Sequence, residues 1–89
     1  MEDHQRSLDE LRQEVDRIDD EIILLLSKRF DLAESIADLK YSASLPIYSP
    51  EREACILSRL PSEIHCQVFR VILEVSREIQ AEKLRRSSQ

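Results

Sequence analysis

Glycine and tryptophan are absent from this 89-residue chain, which also holds only three prolines, two tyrosines and two phenylalanines. With so little turn-forming material, long helices joined by few turns are expected. Cysteine is scarce too. Cys55 and Cys66 stand eleven residues apart without a CxxC spacing, and no histidines cluster. That pattern argues against a structural or catalytic metal site and for two free thiols in a reducing compartment. No leader with an apolar segment opens the chain, and no apolar run approaches the ~20 residues that span a bilayer. A cytoplasmic protein without membrane contact is therefore expected. The net charge of -5 argues against a general nucleic-acid or membrane surface, though not against one local basic pocket.

What is present is a globular composition, 42% apolar and 35% charged. It reads as a single domain over residues 1–89, small enough to gain core by oligomerising. Leu8, Leu11, Val15, Ile18, Ile22, Leu25, Arg29, Leu32, Ile36 and Leu39 follow alternating steps of three and four, the seam of a helical bundle. Ser7 with Glu10 resembles a capping box, so a first helix is expected from near residue 7 to about Ser42. SASLPIYSP, residues 42–50, breaks it, and Ser49 before Pro50 makes a cap with proline at the first helical position. A short second helix is expected over about 50–60. Pro61 ends it and starts a third over about 62–86, with residues 86–89 as a disordered tail. In the third helix Ile64, Val68, Ile72, Val75 and Ile79 form the main stripe, and Phe69, Leu73, Ser76, Gln80 and Lys83 a neighbouring one.

The fold class is thus all-α, with a long first helix, a short second and a long third. A first helix of roughly 50 Å outruns a compact domain of this size, whose radius of gyration would be about 12 Å. Pairing long helix with long helix across a homodimer covers the excess.

Polar residues interrupt the apolar faces. Arg29 sits in the seam between Leu25 and Leu32, and Lys40 follows about 20° around the helix and about 16 Å along it. Two such cations can grip a dianion, although a seam arginine can also pack its stem and send its head to water or to an acid. Arg52 and Glu53 open the second helix, and Ser76 and Gln80 lie one turn apart on the third. Together they suggest a polar cavity inside a bundle. Arg12 lies about 25 Å from Arg29 on the same rigid helix. If both serve one site, Arg12 must come from the dimer partner; otherwise it is a surface arginine paired with Asp16.

LDELRQEVDRIDDEIILLLSKRFDLAESIADLK, then a proline-bearing loop with PERE, then a late helix with SxxxQ, resembles the all-helical chorismate mutase family over residues 8–83. The resemblance implies an intertwined homodimer whose two sites each borrow an arginine, and conversion of chorismate to prephenate on the route to phenylalanine and tyrosine. It places Arg12 as the borrowed arginine, Arg29 on a carboxylate, and Lys40 on a carboxylate and the ether oxygen. Arg52 and Glu53 match the second helix's pair, with Glu53 receiving the ring hydroxyl. Ser76 and Gln80 match the last helix's pair, with Gln80 aimed at the ether oxygen. The reaction is concerted and implies no nucleophile, metal or cofactor, which suits a chain without a Ser/His/Asp or Cys/His arrangement.

Two departures stand out. Ser49 takes a position where many members carry an aspartate, and the Glu53–Ser76 segment is shorter than in many relatives. Two sister activities would use the same cations: an isochorismate-pyruvate lyase and a 4-amino-4-deoxychorismate mutase. A non-catalytic helical dimerisation or adaptor module would share the seam, but has no reason to line inward faces with Arg29, Lys40, Glu53 and Gln80. Helix-turn-helix DNA binding fits poorly with the acidity and the 35-residue first helix.

Overall fold

The computed structural model describes residues 6–87. Three helices follow in order: α1 (Leu8–Ser42), α2 (Pro50–Ser58) and α3 (Glu63–Ser87). The Ser7–Glu10 capping box forms as expected, with Glu10 N–H donating to Ser7 Oγ at 3.1 Å and Ser7 N–H to Glu10 Oε1 at 2.9 Å.

α1 stops at a reversal that glycine usually makes. Ser44 has φ 57°, the left-handed region that disfavours residues with a Cβ. Leu45 N–H donates to the Lys40 carbonyl at 2.8 Å and Ser44 N–H to the Tyr41 carbonyl at 3.1 Å. This Schellman pair satisfies carbonyls the helix end would leave bare.

α2 begins at Pro50, but the Ser49 hydroxyl makes no capping bond, against the sequence expectation. Only its carbonyl serves the helix, accepting from Glu53 N–H at 3.0 Å. Ser49 has ψ 89°, against 159° at Ser7, and from there the hydroxyl does not reach the first-turn N–H groups. α2 also ends two residues short of the expected Leu60. Proline disfavours helical backbone in the residue before it, and the chain ahead of Pro61 tightens into three-residue bonds, Arg59 to Ile56 and Leu60 to Leu57. α3 then starts at Glu63, with Ser62 Oγ accepting from His65 N–H at 3.3 Å. It runs through Ser87, so Arg86, expected in a tail, is helical and pairs with Glu34 of α1 at 3.2 Å. Residues 88 and 89 of that expected tail lie outside the described residues.

The molecule measures 58 × 28 × 14 Å, with a radius of gyration of 17.7 Å. A compact domain of this size would have a radius of gyration of about 12 Å, so the chain is extended and buries little core of its own. Among the described residues the buried apolar side chains are Ala33, Ala37, Ile56 and Leu73. Ala33 and Ala37 lie one turn apart on α1 and let α3 approach closely. The seam residues expected to pair with a second chain stand open in the single chain, Leu25 at 61%, Leu32 at 62% and Leu39 at 71% exposure. α3 likewise buries its secondary stripe, at Leu73, Ser76 and Gln80, and leaves Ile64 and Val68 exposed. Among the described residues no helix is long and apolar enough to cross a membrane. Cys55 is exposed and Cys66 half-buried, both unpaired.

Candidate active site

α3 packs against both α1 and α2, whereas α1 and α2 do not pack on each other. The gap between them, floored by α3, is a cavity of about 560 Å³. Its apolar lining includes Leu32, Ile36, Ile56 and Phe69.

Seven of the eight nominated residues line this cavity. α1 contributes Arg29 and Lys40, and the chain entering α2 contributes Ser49, Arg52 and Glu53. α3 contributes Ser76 and Gln80, both buried. Arg12 does not reach it: Arg12 is exposed near the far end of α1. Among the described residues Arg12 pairs with no carboxylate, Asp16 included.

Of the nominated cations, Lys40 is the best anchored. Its Nζ donates to the Ile47 carbonyl at 2.6 Å and to Gln80 Oε1 at 3.3 Å. The loop after α1 thereby closes over the lysine that precedes it. Because the Gln80 carbonyl faces Lys40, its amide nitrogen is left to donate, once weakly to Ser76 Oγ at 3.4 Å. With two hydrogens on that nitrogen, one remains for a ligand. Lys40 has three donor hydrogens and commits two.

Arg77 escaped the sequence reading. Its Nη1 donates to both oxygens of Glu53, at 2.6 and 2.5 Å, and its guanidinium lies 5.2 Å from the centre of the Tyr48 ring, within the range of a cation–π contact. The bond from Glu53 raises the Arg77 pKa above the ordinary arginine value. The available signal was helical spacing, since Arg77 lies one turn from both Leu73 and Gln80 and so shares their face. Arg59 also lines the cavity. The lining therefore carries five cations (Arg29, Lys40, Arg52, Arg59 and Arg77) against the single carboxylate of Glu53. Among the described residues Arg29, Arg52 and Arg59 have no carboxylate partner. In a chain of net charge -5, this is a concentrated anion-binding potential.

The sequence profile of the chorismate mutase type II family matches residues 11–81. The chain belongs to the type II chorismate mutase family. The chorismate mutase of Methanocaldococcus jannaschii is 30% identical over 86 residues, an alignment covering 86% of this chain and 87% of that protein. The bifunctional chorismate mutase/prephenate dehydratase of Aquifex aeolicus is 46% identical over 77 residues, 81% of this chain but 21% of that longer protein. Among solved structures, a conserved hypothetical protein from Pyrococcus furiosus superposes with a TM-score of 0.76 at 41% identity, covering 82% of this chain and 93% of its own. These matches support the expected family and all-α fold.

Proposed function

We propose that this chain catalyses the rearrangement of chorismate to prephenate, as a cytoplasmic homodimer whose two cavities each take Arg12 from the partner. The observation that carries this reading is the meeting of Lys40 and Gln80, forty residues apart and 3.3 Å from each other, in a cavity otherwise rich in unpaired cations. Chorismate is a dicarboxylate with an ether bond to break. Arg29, Arg12 and Lys40 neutralise and orient the carboxylates, and the planar guanidinium forks suit bidentate pairing. Holding the compact conformer in which the reacting carbons face each other lowers the barrier by positioning alone. As the C–O bond lengthens, negative charge grows on the ether oxygen. The remaining hydrogens of Lys40 and of the Gln80 amide stabilise it there more than in the ground state. Glu53 accepts from the ring hydroxyl, and Ser76 steadies the Gln80 amide.

The homodimer is supported by surface area. The isolated chain exposes 7183 Å², roughly 1,800 Å² above the ~5,400 Å² of a compact protein of this mass. A standard interface removes about 800 Å² from each partner, less than half of this excess, so the exposed surface supports a larger, intertwined pairing along α1. Two unpaired cysteines suit a reducing cytoplasm.

The test is purified protein with chorismate, following the loss of its ultraviolet absorbance and identifying the product by NMR and mass. Prephenate is the expected product. Release of pyruvate from isochorismate, with chorismate untouched, would reassign the site to the lyase reaction. Inertness toward both, with Arg29→Ala changing stability alone, would favour a dimerisation module.

A further inference from the structure

One cation of the cavity, Arg77, has no part in the chemistry above, although its partner Glu53 does. Arg77 of α3 bridges both oxygens of Glu53 on α2 through a single nitrogen, and the Tyr48 ring from the preceding loop holds the guanidinium in place. Three segments thus converge on one carboxylate. A carboxylate has about four acceptor positions, so Arg77 leaves others free to receive a donor from the cavity while cancelling most of the charge. Arg52 adds a second cation to this part of the lining, and Ser49, whose carbonyl accepts from Glu53 N–H, contributes no charge.

We propose that Arg77 is a positioning and specificity residue: it fixes and neutralises Glu53 so that this end of the cavity accepts a hydroxyl and rejects an ammonium group. The inference rests on reading the cavity as a chorismate site. A hydroxyl needs only the acceptor geometry. An ammonium at the same place would gain little from a carboxylate already paired and would be repelled by Arg77 and Arg52. 4-Amino-4-deoxychorismate, with an amine where chorismate has its ring hydroxyl, is the discriminating substrate.

The experiment measures turnover and calorimetric affinity for both compounds in the wild type, Arg77→Leu, Arg77→Lys, Glu53→Gln and the Glu53→Gln/Arg77→Leu double variant. The wild type is expected to favour chorismate. Arg77→Leu, which leaves Glu53 a bare anion, should lower kcat/KM for chorismate about tenfold, the scale of one charge-assisted hydrogen bond. It should also improve relative use of the amine, narrowing the preference by a similar factor. Arg77→Lys, which keeps the cation, should retain the preference at reduced rate. In the Glu53→Gln background, Arg77→Leu should move the preference less than in the wild type, because only the direct repulsion by Arg77 is then relieved, a coupling that a merely structural role would not produce. Should Arg77→Leu fail to fold, Tyr48→Leu, which removes only the ring under the guanidinium, should give a smaller narrowing.

A wild-type enzyme that converts chorismate, with a preference unmoved by Arg77→Leu or Tyr48→Leu, would overturn the proposal and leave the mutase reading standing. A wild-type protein that neither binds nor converts chorismate would overturn both.

Discussion

Lys40 near the end of α1 and Gln80 on α3 share a hydrogen bond of 3.3 Å, and the same ammonium is tied at 2.6 Å to the Ile47 carbonyl of the intervening loop. The lysine is therefore aimed before any ligand arrives, and its reorganisation is already complete. Preorganised donors of this kind carry much of an enzyme's rate enhancement.

Replacing Lys40 by alanine should lower kcat by about 10²–10³, the range for removing one such donor. The loop should also loosen, since the Ile47 carbonyl loses its partner. Steady-state kinetics with chorismate and a thermal melt separate the two effects.

Gln80→Glu supplies a pH test. An ionised carboxylate only accepts, whereas its protonated form has one hydrogen to donate. The variant should be active at low pH, with the carboxyl protonated, and lose activity as pH rises through that group's pKa. The wild-type amide does not titrate and should show no such fall. A pH profile of kcat/KM for both proteins decides it.

Mixing subunits tests whether Arg12 is shared. Arg12→Ala and Lys40→Ala homodimers should each be nearly inactive. After random re-pairing half the dimers are mixed, and each holds one site with both groups intact, so roughly a quarter of full activity should return. If every site were built from one chain, mixing would restore nothing.

Ser44→Gly should stabilise the protein by about 1 kcal/mol at most, because Ser44 holds a left-handed φ of 57° that costs a residue with a Cβ. Denaturant unfolding with an unchanged slope would check it.

Ile18 lies mid-seam with 54% of its surface exposed, in a stretch of α1 remote from the α3 contacts at Ala33 and Ala37. Ile18→Asp should abolish the dimer and with it much of the helicity. Sedimentation and far-UV circular dichroism, each over a range of concentrations, would reveal the dependence expected when folding and association are one step.

Helix ends were legible where local chemistry sets them. Ser7 and Glu10 cap each other within one turn, and Pro50 and Pro61 interrupt helices whatever surrounds them. Most of the cavity lining was legible as well, because Arg29, Lys40, Glu53 and Gln80 break apolar faces that solvent alone would not interrupt. The face of α1 that meets α3 was not legible. Large seam residues look like core, yet the chain's own contacts fall on Ala33 and Ala37, and a period of three and four does not distinguish a face meant for α3 from one meant for a second chain. Arg77 was hidden for a related reason: helical spacing put it on the right face, but its partner Glu53 is 24 residues away on another helix.

The sequence by itself determined three helices, their approximate limits, an all-α class and a set of polar residues out of place on apolar faces. All of these follow from forces acting within a few turns of chain. Tertiary structure alone decided that α1 and α2 stand apart, that Ser49 does not cap its helix, that Ser44 turns left-handed, and that Arg77 holds Glu53. The gap between α1 and α2 and the Arg77–Glu53 pair depend on where α3 lies, and that position is set by close packing over small residues at a distance no local pattern encodes.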